Sequence, residues 1–249
     1  MRNAKYGKEI TTLTGLIGSP VSHSLSPAIH KEGFKKNGME GYDYVLMDSA
    51  EENLASMLEN LDERFVGFNV TMPDKLEIMN YLDDLSEEAK AIGAVNTVKV
   101  QNGKLTGYNT DGKGFVEALK KQGVEIKAKK ILIFGAGGAA KAVGYELEQE
   151  GAEVEKLHRP EKEELHAKLM ECDIFINASP VGMDGISSPV EDLNDVKKDL
   201  FVADLIYKPE ATKLLKMAEK KGLKFMNGMA MLYEQANLSF YIWHGVKLS

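Results

Sequence analysis

The chain has 249 residues, 43% of them hydrophobic and 28% charged, with a formal net charge of −7. This is an ordinary globular balance with enough apolar residues for one large core or two modest ones. A net negative charge repels polyanions, so no nucleic acid and no anionic membrane surface is expected as a partner; small anions remain open to local basic groups and N–H donors. In chain order, Leu13–Gly18 reads as a strand, and Ser26-Pro27 as a helix start with Ser26 as N-cap. Tyr42–Met47 is a second strand, Glu51–Asn60 a helix, Phe65–Val70 a third strand and Leu76–Leu82 helical. Ala94–Val100 and Lys104–Gly107 read as a hairpin around Asn102-Gly103. Gly114–Gln122 is helical, Ile131–Phe134 a buried strand, and the glycines that follow open a helix to about Glu148. Val154–His158, Asp173–Asn177, Phe201–Leu205 and Lys224–Met226 continue as strands, and Met229–Trp243 is a closing amphipathic helix. Strand–helix alternation of this kind predicts an α/β fold with mostly parallel sheets.

One cysteine, Cys172, allows neither an intrachain disulfide nor a thiolate metal cluster. His23, His30, His158, His166 and His244 contain no His-x-x-x-His pair, so no metal is expected. The opening MRNAKYGKEI lacks the apolar segment of a secretory signal, and no apolar run approaches the roughly 20 residues of a membrane helix. A cytoplasmic protein is expected.

Gly135-Ala136-Gly137-Gly138-Ala139-Ala140 follows an apolar strand and opens a helix, the context in which a glycine fingerprint predicts dinucleotide binding. Gly135 permits the tight turn, Gly137 lets backbone approach a pyrophosphate, and the helix N-terminus offers N–H donors and partial positive charge. An acid about 20 residues on would bind the ribose hydroxyl of NAD, whereas an arginine accommodates the 2′-phosphate of NADP. Here the tip reads His158-Arg159-Pro160, with no acid and one guanidinium, so NADP is favoured.

Four polar motifs crowd the first part of the chain: Gly18-Ser-Pro-Val-Ser22-His-Ser24-Leu-Ser-Pro27, Asn69-Val-Thr71-Met-Pro73-Asp-Lys75, Gly93-Ala-Val-Asn96-Thr97 and Gly107-Tyr-Asn109-Thr-Asp111-Gly112. Each lies at a strand or hairpin end, where open α/β sheets place ligands. With the glycine loop, Asn177-Ala-Ser-Pro-Val-Gly-Met183, Asp204-Leu-Ile-Tyr207-x-Pro209 and Gly228-Met-Ala-Met231-Leu-x-x-Gln235-Ala, the ordered set resembles the shikimate dehydrogenase family along nearly the whole chain.

The resemblance implies an N-terminal α/β substrate domain (residues 1–106), a Rossmann-type NADP domain (107–227) and a C-terminal helix (228–249) packing back on the first domain. It implies reversible reduction of 3-dehydroshikimate to shikimate by NADPH in the route to aromatic amino acids. Lys75 matches the family's catalytic lysine and Asp111 its paired aspartate. Ser22 and Ser24 match the hydroxyls on the substrate carboxylate, and Thr71, Asn96, Tyr207 and Gln235 its other polar contacts. Gly135, Ala136, Gly137, Gly138, Ala139, His158 and Arg159 fall on the dinucleotide, with Leu205 and Gly228 beside the nicotinamide. The chemistry is coherent without the family: ketone reduction builds negative charge on oxygen, which a lysine ammonium stabilises and protonates. A nearby carboxylate favours that ammonium, and hydroxyl and amide groups suit a polyol acid.

Two features depart from the family. Its NADP-type members usually carry Asn-Arg-Thr where this chain has His158-Arg159-Pro160, which loses two hydrogen-bonding side chains and a backbone donor. The stretch from Glu161 to Cys172 is also short, with little room for a long helix. The competing readings are an NAD-dependent quinate/shikimate dehydrogenase and a non-catalytic dinucleotide-binding regulator. The retained Lys75 and Asp111 argue against the latter. A homodimer is admissible, and oligomeric state is not read from the sequence.

Overall fold

The computed structural model describes residues 9–158 and 162–248. The chain divides into two compact units. The first comprises the chain up to Thr110 and resumes at Gln235; the second is Asp111–Glu234.

In the first unit, β1 (Thr12–Gly18) lies parallel to both β2 (Tyr42–Asp48) and β3 (Gly67–Val70). The short β4 (Asp84–Leu85) and the hairpin of β5 (Thr97–Gln101) and β6 (Lys104–Tyr108) complete a six-stranded sheet of order β2-β1-β3-β5-β6-β4. β3 pairs antiparallel with β5, and β5 with β6, so this sheet is mixed, with three of its five strand pairings parallel. The cause is the Asn102-Gly103 turn, whose φ angles of 53° and 76° are the positive pair that a tight hairpin demands. β1 is buried at every position after its first, as a central strand covered on both faces should be.

The helices of this unit are α1 (Ser26–Lys36), α2 (Leu54–Glu59) and α3 (Glu87–Ile92), with a 3₁₀ turn at Glu77–Tyr81. One core gathers Leu13, Ile17, Phe65, Phe68, Ile78 and Val98. Another joins Leu16, Phe34 and Tyr44 to Ala236, Phe240 and Trp243 from the closing helix. Trp243 fixes that helix against the sheet, its indole N–H donating to the Val98 carbonyl at 2.9 Å. Gly67 makes the approach possible, because a β-carbon there would stand 2.2 Å from the indole nitrogen. Inside this core His30 is fully buried and stacks on Tyr44 with ring centroids 4.4 Å apart. Burial, helped by nearby His244, pushes the His30 imidazole down to about 3, and burial lowers His244 to about 4.

In the second unit β7 (Lys130–Phe134), β8 (Glu153–Leu157), β9 (Ile174–Asn177), β10 (Phe201–Asp204) and β11 (Lys224–Met226) form a fully parallel sheet of order β11-β10-β9-β7-β8. α4 (Asp111–Lys121) and α5 (Gly138–Gln149) supply Phe115, Leu119, Val143 and Leu147 to one core. α6 (Lys162–Glu171) and α7 (Lys213–Lys220) supply Leu165, Leu169, Leu214 and Leu215 to another. This is a doubly wound sheet, and the strand order reverses between β7 and β9, the place where such sheets open a ligand crevice. α8 (Gly228–His244) starts in this unit and continues into the first.

Several local expectations are corrected. Ser26 is not the cap of α1: the cap position falls on Leu25, which makes no side-chain cap, and Ser26 is the first helical residue. α2 starts only at Leu54, because Asn53 caps it by accepting from the Ser56 N–H at 3.0 Å. The Leu76–Leu82 stretch tightens to a 3₁₀ turn. The stretch between Glu161 and Cys172 folds as α6, a helix of 10 residues, and so is not a long one. β4, α3 and α7 are additions, α3 and α7 with proper caps at Ser86 and Thr212.

Candidate active site

The four polar motifs of the first unit are stitched together chiefly through backbone. Ser19 donates to the Met72 carbonyl at 2.9 Å and Thr71 to that of Ile17 at 2.8 Å, joining the first motif and its strand to the second. Val95 donates to the Lys75 carbonyl at 2.8 Å and Val70 to that of Asn96 at 2.8 Å, joining the second to the third. The Asn109 side-chain amide donates to the Ala94 carbonyl at 2.9 Å, and the Thr110 N–H to Asn96 Oδ1 at 2.8 Å, joining the third to the fourth. Lys75 is therefore held at its backbone by the loop that carries Asn96.

Asn96 is buried, and its orientation is fixed by chemistry. Oδ1 accepts the backbone N–H of Thr110, so Nδ2 is the other end, donating to Thr110 Oγ1 at 2.9 Å and Gln235 Oε1 at 3.4 Å. Gln235 is buried as well. Thr71, Lys75 and Ser24 are half-buried, and Ser22 is exposed. Ser24 Oγ accepts the Ser26 N–H at 3.2 Å, a local turn bond at the entrance to α1. Asp111 follows Thr110 directly as the first residue of α4 and is buried. Sequence reasoning did not single out Asn69, Thr97, Thr110 or Ser239, yet these buried residues hold Asn96 and α8 in place. Asn69, Thr97 and Thr110 lay within quoted motifs, but nothing local tied Ser239 to them.

The second unit builds its candidate site largely from backbone. Gly135 has φ 141°, and a β-carbon there would stand 2.6 Å from the Ala178 carbonyl oxygen, so the fold itself requires glycine. Gly137 is different. Its φ is −72°, it caps α5 with no side-chain hydrogen bond, and a β-carbon would meet nothing within 4 Å. The open space and the uncapped N–H groups beyond it fit a pyrophosphate. Ala136 is exposed, Gly138 and Ala139 are half-buried, and Ala140 is buried against the sheet. His158 is exposed just past β8, and Arg159 lies outside the described residues.

Leu205 and Tyr207 sit on a loop that is latched at its base. Asn177 donates to Asp204 Oδ1 at 3.0 Å and to the Val181 carbonyl at 2.9 Å; Thr212 donates to Asp204 Oδ2 at 2.7 Å and the Ile206 N–H to Oδ1 at 3.1 Å. Burial raises the Asp204 carboxyl above the usual carboxylate range, against the lowering pull of these donors. Burial likewise raises the half-buried Tyr207 phenol. Gly228 presses on the same loop: its N–H donates to the Ile206 carbonyl at 3.0 Å, and a β-carbon would fall 2.1 Å from the Leu205 oxygen. Asn177 and Asp204, quoted above only as motif letters, thus hold the positions expected beside the nicotinamide. Among the described residues no group of three or more His, Cys, Asp or Glu could hold a metal ion, and no helix is long and apolar enough to cross a membrane.

Comparison with known proteins agrees with this construction. Residues 16–98 match the shikimate dehydrogenase substrate binding domain. The shikimate dehydrogenase (NADP(+)) of Methanococcus maripaludis strain C6 is 44% identical over 260 residues, covering 95% of this chain and 93% of its own. A crystal structure of the Thermus thermophilus enzyme with NADP(H) and shikimate superposes with a TM-score of 0.88 at 36% identity, covering 95% of this chain and 94% of the other. A shikimate dehydrogenase crystallised with NADP+ gives 0.87 at 40% identity, covering 95% and 91%. With identity of this order along nearly its whole length, and with its polar motifs folded into one frame around Lys75, the chain belongs to the shikimate dehydrogenase family.

Proposed function

We propose that the protein catalyses the NADPH-dependent, reversible reduction of 3-dehydroshikimate to shikimate, a step of aromatic amino-acid biosynthesis. The observation that carries this reading is the frame just described, which fixes Lys75 and Asn96 on neighbouring loops in a chain 44% identical to a relative named for this reaction. NADPH, when bound, supplies the hydride; the carbonyl carbon receives it, and the oxygen takes a proton. Lys75 is assigned as the donor of that proton and as the ammonium that stabilises the growing negative charge on oxygen. Asp111 is assigned as its paired carboxylate.

Ser22 and Ser24 are assigned to the substrate carboxylate, and Thr71, Asn96, Tyr207 and Gln235 to the ring hydroxyls. A site built from such donors and acceptors rejects analogues that leave a buried partner unpaired. Gly135, Ala136, Gly137, Gly138 and Ala139 are assigned to the pyrophosphate. His158 and Arg159 are assigned to the adenosine 2′-phosphate, and Leu205 and Gly228 to the nicotinamide side. We assign residues 1–106 to the substrate domain, 107–227 to the NADP domain and 228–249 to the returning helix. The working environment is a reducing one such as the cytoplasm, which suits a single buried cysteine. No nucleic-acid or membrane partner is proposed, and a homodimer is compatible with the reading.

Steady-state assays of the purified protein with shikimate or quinate, each with NADP or NAD, test this by reduced-cofactor absorbance. Shikimate with NADP is expected to give the highest kcat/KM. Preferred turnover of quinate with NAD, or binding without turnover of any pair, would overturn it.

A further inference from the structure

We infer that Ser239, one helical turn beyond Gln235 on α8, is a positioning residue that sets Gln235 and Asn96 for substrate. The inference rests on the assignment of those two amides to substrate. Ser239 is completely buried, and its hydroxyl is a four-way junction. It donates to the Gln235 carbonyl at 3.0 Å and accepts from Asn69 Nδ2 at 3.0 Å. It also lies 2.8 Å from Thr97 Oγ1 and 3.2 Å from Thr110 Oγ1. Through these partners one hydroxyl touches β3, β5, the residue leading into α4 and the helix that carries Gln235.

Asn69 is oriented by its donation to the Asn96 carbonyl at 3.1 Å and by Tyr44, whose hydroxyl donates to Asn69 Oδ1 at 2.9 Å. A hydroxyl has one proton and two lone pairs. With its proton on the Gln235 carbonyl and one lone pair on the Asn69 amide, Ser239 has one lone pair left for a threonine hydroxyl. The shorter contact is Thr97, yet Thr97 Oγ1 also lies 2.9 Å from Asn96 Oδ1, and Thr110 Oγ1 lies 3.2 Å from the same oxygen. The two threonine protons are thus shared among Ser239, Asn96 Oδ1 and the contact between the two threonine hydroxyls at 3.3 Å, so removing the Ser239 hydroxyl redistributes the bonds that reach Asn96. Asn96 in turn donates to Gln235 Oε1 at 3.4 Å, which ties the orientations of the two side-chain amides to each other. The bond from the Ser239 hydroxyl to the main-chain carbonyl of Gln235 closes the loop, because it ties Ser239 to the helical turn from which Gln235 projects.

A hydroxyl that only filled space would be replaceable by any group of its size. A hydroxyl that sets two substrate amides is not. Ser239→Ala is expected to raise KM for shikimate roughly 5- to 20-fold, the usual worth of a buried hydrogen bond, with kcat within about twofold and KM for NADP unchanged. Ser239→Thr, which keeps the hydroxyl, should restore KM toward wild type. Side-chain amide NMR signals of Asn96 and Gln235 in the free protein should shift or broaden in the alanine variant, and this readout needs no turnover. An unchanged shikimate KM with unchanged amide signals in Ser239→Ala, whatever its melting temperature, overturns the inference. Perturbed amides in a protein whose wild type does not turn over shikimate would instead keep Ser239 as the organiser of the amides and remove the proposed substrate.

Discussion

The two units present their candidate sites in different materials. In the first, the candidate site is built from side chains, and its buried amides are oriented by bonds to backbone and to one another, such as Asn69 Nδ2 to the Asn96 carbonyl, the Thr110 N–H to Asn96 Oδ1, and Asn96 Nδ2 to Gln235 Oε1. In the second, the candidate site is built from open space and backbone N–H groups, with side chains serving mainly to latch the loops, as Asn177 and Asp204 do. Removing a polar atom should damage the first site, and adding a carbon should damage the second. A polyol acid needs its hydroxyls counted one at a time, whereas a pyrophosphate needs only donors and room.

The sharpest way to test that division is Lys75→Ala. On the assigned role, kcat should fall by roughly 10²- to 10⁴-fold with NADP affinity nearly intact. A comparable loss of NADP binding would blur the two sites into one, and near-normal turnover would remove Lys75 from the chemistry.

The side-chain-built unit should also be the acid-sensitive one. His30 is fully buried with its imidazole pushed from 6.5 down to about 3, so the folded state binds fewer protons than the unfolded chain below pH 6.5. Stability then falls as pH drops through 6.5 towards 3, at about 1.4 kcal/mol per pH unit, or about 2 kcal/mol between pH 6.5 and 5. His30→Phe should flatten this slope in denaturant titrations, whatever its absolute stability. An unaltered slope in that variant would assign the acid sensitivity to other groups.

Two glycines then separate folding from binding within the second unit. Gly135→Ala combines positive φ with a contact at 2.6 Å and should cost about 1–3 kcal/mol of stability. Gly137→Val meets open space at an ordinary φ, so its melting temperature should hold while KM for NADP rises on the order of tenfold. If Gly137→Val leaves both the melting temperature and KM for NADP unaltered, the space is not the pyrophosphate's.

What the sequence made legible follows the same division. The glycine loop is a local signal, readable because strand, turn and helix are consecutive, and the strand and helix it predicted are β7 and α5. The Asn-Gly hairpin is readable for the same reason. The frame around Asn96 is not local: most of its bonds join residues 13 to 170 positions apart, and no periodicity records which threonine meets which asparagine. Ser26 misled because a serine before proline looks like a cap, while the folded chain uses Ser24 to accept the amide instead. Motif order along the chain pointed to the family, but the partners that orient Asn96 and Gln235 needed the fold.

The most direct test of the central claim is product analysis with NADPH carrying deuterium at the transferable position. Given 3-dehydroshikimate, the wild-type protein should yield shikimate with one deuterium on the new carbinol carbon, and Lys75→Ala, with cofactor still bound, should yield almost none. Undeuterated product, no product from the wild type, or full labelled product from Lys75→Ala would contradict the account.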